Sequence, residues 1–103
     1  MAPGPSLFPR LGVGVGLRPC HAELFEHSRP AGIDWVEVIT ENHLPWQGRE
    51  PGRYWSMLER IRSVSPVALH GVSMSLGSTD PLNRDYLKRL RALADALEPA
   101  WIS

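Results

Sequence analysis

Four short apolar runs alternate with amphipathic segments along this chain, and this alternation restricts the fold more than any other feature of the sequence. The runs are short, rich in valine and isoleucine and nearly continuous, which is typical of strands covered on both faces. They predict strands over 11–17, 33–40 and 66–72, with the start of a fourth at 100–102. Strands that alternate with helices predict a parallel sheet with right-handed crossovers.

The three segments between the strands have the spacing of helices that bury one face. The first begins at Pro19 and is ended by Pro30 and Gly32, and the third follows Asp80-Pro81. The predicted apolar faces are Leu24, Phe25 and Ser28 in the first helix, Tyr54, Met57, Leu58, Ile61 and Val64 in the second, and Tyr86, Leu90, Leu93 and Leu97, widened by Leu87 and Ala94, in the third. Asp85 and Arg89 are spaced as an exposed ion pair.

Two architectures fit this order of elements, a doubly wound sheet and the opening of a TIM (β/α)8 barrel. A complete barrel takes about 250 residues, whereas this chain has 103 and stops at Ser103, where the fourth strand has barely begun. We therefore expect a truncated α/β domain, the first three and a half β/α units of a barrel, over residues 11–103. The proline-rich residues 1–10 are predicted to be a flexible leader.

Charge and cysteine content exclude several function classes. Eleven basic and eleven acidic side chains give a net charge of zero, which argues against nucleic acid or an anionic membrane surface as a partner. The one cysteine, Cys20, permits no intrachain disulfide. No signal peptide and no membrane-spanning run is evident, so we expect a cytoplasmic protein.

The alternation of side chains along each strand predicts which residues face the inside of a barrel. A consistent assignment points one set outward against helices: Val13, Val15, Leu17, Val36, Val38, Val67 and Leu69. The other set points inward: Gly12, Gly14, Gly16, Trp35, Glu37, Glu41, Ala68 and His70. Glycines beside a large tryptophan leave room for bulk, and an inward Glu37 indicates a polar interior, since a buried carboxylate needs a partner.

His70 is the leading candidate for chemistry, because it ends the third strand and active sites of α/β folds collect at the carboxyl ends of strands. It fits a metal ligand, a general base, or a histidine satisfied by the backbone. Glu41 and Asn42 follow the second strand, and Glu41 is the predicted partner of His70. Ser73 opens a small-residue loop suited to an anion, a peptide, or only a helix cap.

The remaining candidates carry weaker signals. His43 is predicted to be a surface loop residue, His21 and His27 to be exposed, and Cys20 to be an inert thiol. The glycines at 12, 14 and 16 lie within a strand instead of after it, and Leu17 stands where a dinucleotide fingerprint needs a small residue. A dinucleotide site is therefore disfavoured.

Several segments together resemble one known family. They are Gly14-Val15-Gly16-Leu17-Arg18, the run from Asp34 to Asn42, the run from Leu69 to Leu82, and Glu98-Pro99-Ala100-Trp101-Ile102-Ser103. In this order they are similar to the amino-terminal part of the multinuclear non-heme iron-dependent oxidases, which include the oxidase of methanobactin biosynthesis and were long catalogued as a domain of unknown function.

The resemblance implies a barrel of the xylose-isomerase-like kind with two or three iron ions at the carboxyl ends of its strands. It also implies oxidation of cysteine residues in ribosomally made precursor peptides with molecular oxygen, often with a partner protein that presents the peptide. His70 matches the iron-binding histidine of the family, while Glu41, Asn42, Glu37 and Ser73 are expected to line the site. In the family an Asp-His step that supplies the next ligand would follow Ser103, so we expect no stably bound iron in this chain alone.

Two other functions fit the same residues. The first is a non-catalytic remnant or binding module that uses the open sheet edge and the uncovered interior, which would expose strand edges and apolar surface. The second is a divalent-metal isomerase or phosphoesterase on the same type of barrel.

Overall fold

The computed structural model describes residues 10–44 and 53–103, so that the predicted leader lies outside the described residues apart from Arg10. Three parallel strands form one open sheet in the order β1-β2-β3. The strands are β1 (Gly14–Gly16), β2 (Trp35–Ile39) and β3 (Val67–His70), and the helices are α1 (Ala22–Glu26), α2 (Arg53–Val64) and α3 (Arg84–Leu97). Helical crossovers between parallel strands confirm the predicted fold class and are consistent with a partial β/α barrel.

The predicted start of a fourth strand is present beside β3. Ile102 forms a parallel bridge with Leu69. Backbone hydrogen bonds alternate across this edge, from Ala100 N to Val67 O, from Leu69 N to Trp101 O, from Ser103 N to Leu69 O and from Gly71 N to Ser103 O, at 2.8 to 3.0 Å. We call residues 100–103 the fourth-strand segment. It holds Ser103 beside the end of β3.

The strands are shorter than predicted, and β1 is shortened most. Val13 donates its N–H to the Asp34 carboxylate at 2.9 Å, and the Gly12 carbonyl accepts from Trp35 Nε1 at 3.2 Å. These backbone groups bond to side chains and leave the ladder, so β1 starts only at Gly14. At the other end of β2, residues Thr40–Asn42 turn into a short 3-10 helix.

The outward faces of β2 and β3 form the core with the helices, as predicted. Val36, Val38, Val67 and Leu69 are at most 3% exposed. They cluster with α2 and α3 residues, namely Leu58, Ile61, Leu93 and Leu97. The prediction was wrong for Val13 and Val15, which are 66% and 38% exposed. They lie on or before the edge strand β1, where the described helices do not cover them.

The helices follow the predicted faces with corrections. In α1 only Ala22 and Phe25 are buried, while Leu24 is 65% exposed and Ser28 is exposed, because the helix has five residues and presents a narrow face. Tyr54 of the α2 stripe is 49% exposed.

The third helix begins three residues later than its predicted proline start. Asn83 is its N-cap, since the Asn83 side chain accepts from Tyr86 N at 3.0 Å. The predicted ion pair between Asp85 and Arg89 is confirmed at 3.2 Å. Within 10–44 and 53–103, no helix is long and apolar enough to cross a bilayer.

The inner face of the sheet carries the predicted residues that lie on its strands, whereas Gly12 precedes β1 and Glu41 lies in the 3-10 turn after β2. Register pairs Gly14 with Trp35, and it also pairs Ile39 with His70, so the members of each pair share a face. A Cβ added at Gly14 would run into the Trp35 indole. The ring of Trp35 also meets Trp101 edge-on, with 4.6 Å between centroids. The glycine therefore makes room for the tryptophan, as expected.

Candidate functional site

The candidate site lies at the carboxyl edge of the sheet, where three consecutive strands deliver polar side chains. His70 is the last residue of β3, Glu41 lies in the turn after β2, and Ser103 is in the fourth-strand segment. Parallel strands bring their carboxyl ends to one edge, so residues more than 30 positions apart meet here.

His70 is paired with Ser103, a partner that sequence reasoning missed. His70 Nδ1 lies 2.9 Å from Ser103 Oγ. No partner within the described residues is recorded for the second ring nitrogen, Nε2. The ring is half-buried and shares the inner face with Ile39. One nitrogen is therefore hydrogen-bonded to Ser103, and the other makes no hydrogen bond to the part of the chain that the structure describes.

Glu41 is hydrogen-bonded to α3 and to the loop after β3, not to the imidazole as predicted. Its Oε1 accepts from Tyr86 Oη at 2.7 Å and from Val72 N at 2.9 Å. Its Oε2 lies 3.2 Å from the same Val72 N–H. The carboxylate thus links the turn after β2, the helix α3 and the loop after β3. Val72, its partner in that loop, lies two residues after His70.

These hydrogen bonds shift two pKa values in opposite directions. Burial alone raises the pKa of Glu41, but hydrogen bonds from Tyr86, from the Val72 backbone and from Ser73 favour the ionised form, so the net pKa is lowered. Burial raises the pKa of Tyr86, and the hydrogen bond and negative charge of Glu41 raise it further. The pair is held as carboxylate and neutral phenol.

Gly71 allows this network to form. A Cβ at this position would lie 2.9 Å from Tyr86 Oη, 3.6 Å from Glu41 Oε1 and 3.7 Å from the Ser103 carbonyl oxygen. The first of these distances is too short for an unstrained contact, so a side chain here would displace the phenol.

The other predicted lining residues lie near this edge, and they differ in whether they interact with Glu41. Ser73 is exposed and contributes a hydrogen bond to Glu41. Asn42 is exposed in the turn after β2. Glu37 is half-buried on the inner face, in register with Gly16, whose surroundings are open for 4 Å.

A cavity of about 300 Å³ opens at the ends of β1 and β2, where Asn42 is the one predicted lining residue in its walls. Its walls include Arg18, Asn42, His43, Tyr54 and Met57. His43 was predicted to be a surface residue, and this was wrong: the residue is half-buried, its buried Nδ1 has no hydrogen-bond partner among residues 10–44 and 53–103, and burial lowers its pKa. The pattern of a polar residue after a strand did not reveal that its ring would be buried.

The resemblance implies iron, and the side chains at this edge fit that metal only in part. His70 fits, since a neutral imidazole with one nitrogen fixed by a hydrogen bond is a common ligand arrangement. Glu41 already accepts hydrogen bonds on both oxygens. Residues 10–44 and 53–103 hold no group of three or more His, Cys, Asp or Glu side chains placed to bind a metal ion. These residues supply one ligand, not a complete site.

Comparison with known proteins identifies the family. Residues 12–103 match the family described as RiPP precursor modification enzyme MbnB/TglH/ChrH. The chain belongs to this family. RiPP denotes a ribosomally synthesised peptide that is modified after translation. The match spans the sheet, all three helices and the site described above, and it agrees with the resemblance noted from the sequence.

Several bacterial relatives carry the name UPF0276 protein. One from Caulobacter vibrioides is 46% identical over 98 residues, which are 95% of this chain and 34% of the relative. One from Anaeromyxobacter sp. is 50% identical over 94 residues, covering 90% of this chain and 31% of the relative. One from Vibrio parahaemolyticus is 34% identical over 91 residues, covering 88% and 30%. The chain therefore spans about a third of the length of these relatives.

Proposed function

We propose that this chain is the amino-terminal part of an iron-dependent oxidase that modifies cysteine residues of a ribosomally made precursor peptide with molecular oxygen. The observation that carries the proposal is the position of His70. The residue matches the family's iron-binding histidine, ends a strand at the edge where α/β active sites form, and has Nε2 without a recorded partner among the described residues.

In the complete protein, His70 provides one imidazole ligand, and further ligands come from strands beyond those described. Bound iron supplies the oxygen chemistry, for which histidine and carboxylate ligands are suited. Two other residues of this chain support the position of His70 and of the loop after it. Ser103 holds the His70 ring, and Glu41 holds the loop that begins at Gly71.

The substrate we propose is a peptide, because the family is described by precursor modification. The inner face of the sheet is open around Glu37 and Gly16, and the cavity beside Asn42 and His43 lies at the same end of β2. An extended peptide bound at the carboxyl edge would pass these features on its way to His70. A second protein that presents the peptide belongs to the same proposal.

The test uses the full-length protein, reconstituted without oxygen with Fe²⁺ or, separately, with Mg²⁺ or Zn²⁺. After oxygen is admitted with a cysteine-containing precursor peptide, we expect oxygen uptake and a changed peptide mass only in the iron sample. A His70→Ala variant should lose both signals. His27→Ala removes an exposed histidine near α1 and is the matched control, which should retain both.

The same experiment separates the alternatives. Activity on a sugar or phosphoester with Mg²⁺ or Zn²⁺ would favour the isomerase or phosphoesterase. Tight peptide binding with no metal and no mass change would favour the binding module. Either result would contradict the oxidase.

A further inference from the structure

The Ser103 hydroxyl lies between the His70 ring and a backbone carbonyl, so the direction of its hydrogen bears on where the ring carries its proton. Ser103 Oγ is 2.9 Å from His70 Nδ1 and 3.5 Å from the Leu69 carbonyl oxygen. A serine hydroxyl has one hydrogen and can also accept. When that hydrogen points to the carbonyl of Leu69, the oxygen can only accept from the ring, which places the imidazole proton on Nδ1.

The serine is held firmly in this position. Its backbone N–H donates to Leu69 O and its carbonyl accepts from Gly71 N, both at 2.8 Å. The two backbone partners of Ser103 are Leu69 and Gly71, the residues before and after His70. The register of the sheet therefore places the Ser103 side chain against the imidazole.

From this geometry we propose that Ser103 is a positioning residue that fixes His70 in the tautomer with the proton on Nδ1 and the lone pair on Nε2. In a neutral imidazole the hydrogen bond made by one nitrogen sets the role of the other. The inference deepens the proposed function, because Nε2 is the nitrogen left for a metal, and groups that orient a ligand in this way affect metal affinity about 10- to 100-fold.

The first test does not depend on iron. Histidine labelled with ¹⁵N in the metal-free full-length protein, at about pH 9 where an ordinary imidazole is neutral, reports the tautomer of each ring, and His70→Ala assigns the signal. We expect the Nδ1–H form in the parent and in Ser103→Thr, which keeps the hydroxyl. We expect a mixture of both forms in Ser103→Ala.

The second test measures Fe²⁺ affinity in the same variants, and a loss of about tenfold is expected for Ser103→Ala, with Ser103→Thr near the parent and the exposed Ser78→Ala as control. An Nε2–H form in the parent, or an unchanged tautomer in Ser103→Ala, would overturn the inference. If the tautomer shifts as expected but no variant binds iron, the inference stands and the proposed function fails.

Discussion

The phenol oxygen of Tyr86 lies 2.7 Å from Glu41 Oε1, joining α3 to the turn after β2 across 45 positions of sequence. Tyr86 is 5% exposed, so its ring belongs to the core while its hydroxyl reaches the candidate site. A tyrosine can do both because its apolar ring and its polar end bury in different surroundings. The contact couples the packing of α3 to the loop that follows His70.

Replacing Tyr86 with phenylalanine keeps the ring and removes this one hydrogen bond. We expect the free energy of unfolding to fall by about 1.5 to 3 kcal/mol, the range for a hydrogen bond to a charged acceptor. Urea denaturation measures it. The loss should shrink in a Glu41→Gln background, where the acceptor is uncharged. Equal losses in both backgrounds would show that the negative charge of Glu41 does not strengthen this hydrogen bond.

Acid should weaken the contact between Tyr86 and Glu41 by protonating the Glu41 carboxylate. The folded-state pKa of Glu41 is below its ordinary value of 4.5, so its contribution to stability is full above that pH and is lost as pH falls through the lower folded value. Glu41→Gln should therefore be less stable than the parent at neutral pH, and the difference should shrink in acid. A difference that stays constant with pH would contradict the ionised role of Glu41.

The acid response of His43 has to be separated from that of Glu41. Burial lowers the pKa of His43 from 6.5, so its contribution is lost as pH falls below that ordinary value. Because this loss occurs in the parent and in Glu41→Gln alike, it cancels in their difference. The comparison of the two proteins thus reports Glu41 alone.

The inner face can be tested with two glycines of one strand. Gly14→Ala places a methyl group against the Trp35 indole, and overpacking of this kind costs about 1 to 3 kcal/mol. Gly16→Ala meets nothing within 4 Å and should change stability by at most about 0.5 kcal/mol. Thermal or urea unfolding of both variants decides the point. Equal effects would mean that Trp35 does not fill the space above Gly14.

The sequence predicted what depends on periodicity. The alternation of apolar runs predicts the parallel sheet, and parity places Trp35 and His70 on its inner face, because side chains alternate strictly along a strand. The same reasoning put Val15 under a helix, where the structure leaves it 38% exposed. Parity gives the face of the sheet on which a side chain lies, but whether that face is covered depends on the neighbouring helices and strands.

The polar contacts of the site could not be predicted in the same way. Tyr86 occupies a position in an apolar helical stripe and looks like a core residue, and only the placement of α3 over the turn after β2 brings its hydroxyl to Glu41. The pairing of His70 with Ser103 depends on the register between β3 and the fourth-strand segment. Their positions at strand ends made Glu41 and His70 candidates for the site. Their spacing in the sequence did not show which residues they would hydrogen-bond to.

The central claim, that His70 is an iron ligand of the complete protein, is tested most directly by iron content. Full-length parent, His70→Ala and His27→Ala should be purified in parallel and their bound iron measured by elemental analysis, with circular dichroism to confirm folding. We predict a clear loss of iron in His70→Ala and parent-like iron in His27→Ala. Unchanged iron in a folded His70→Ala protein would contradict the assignment.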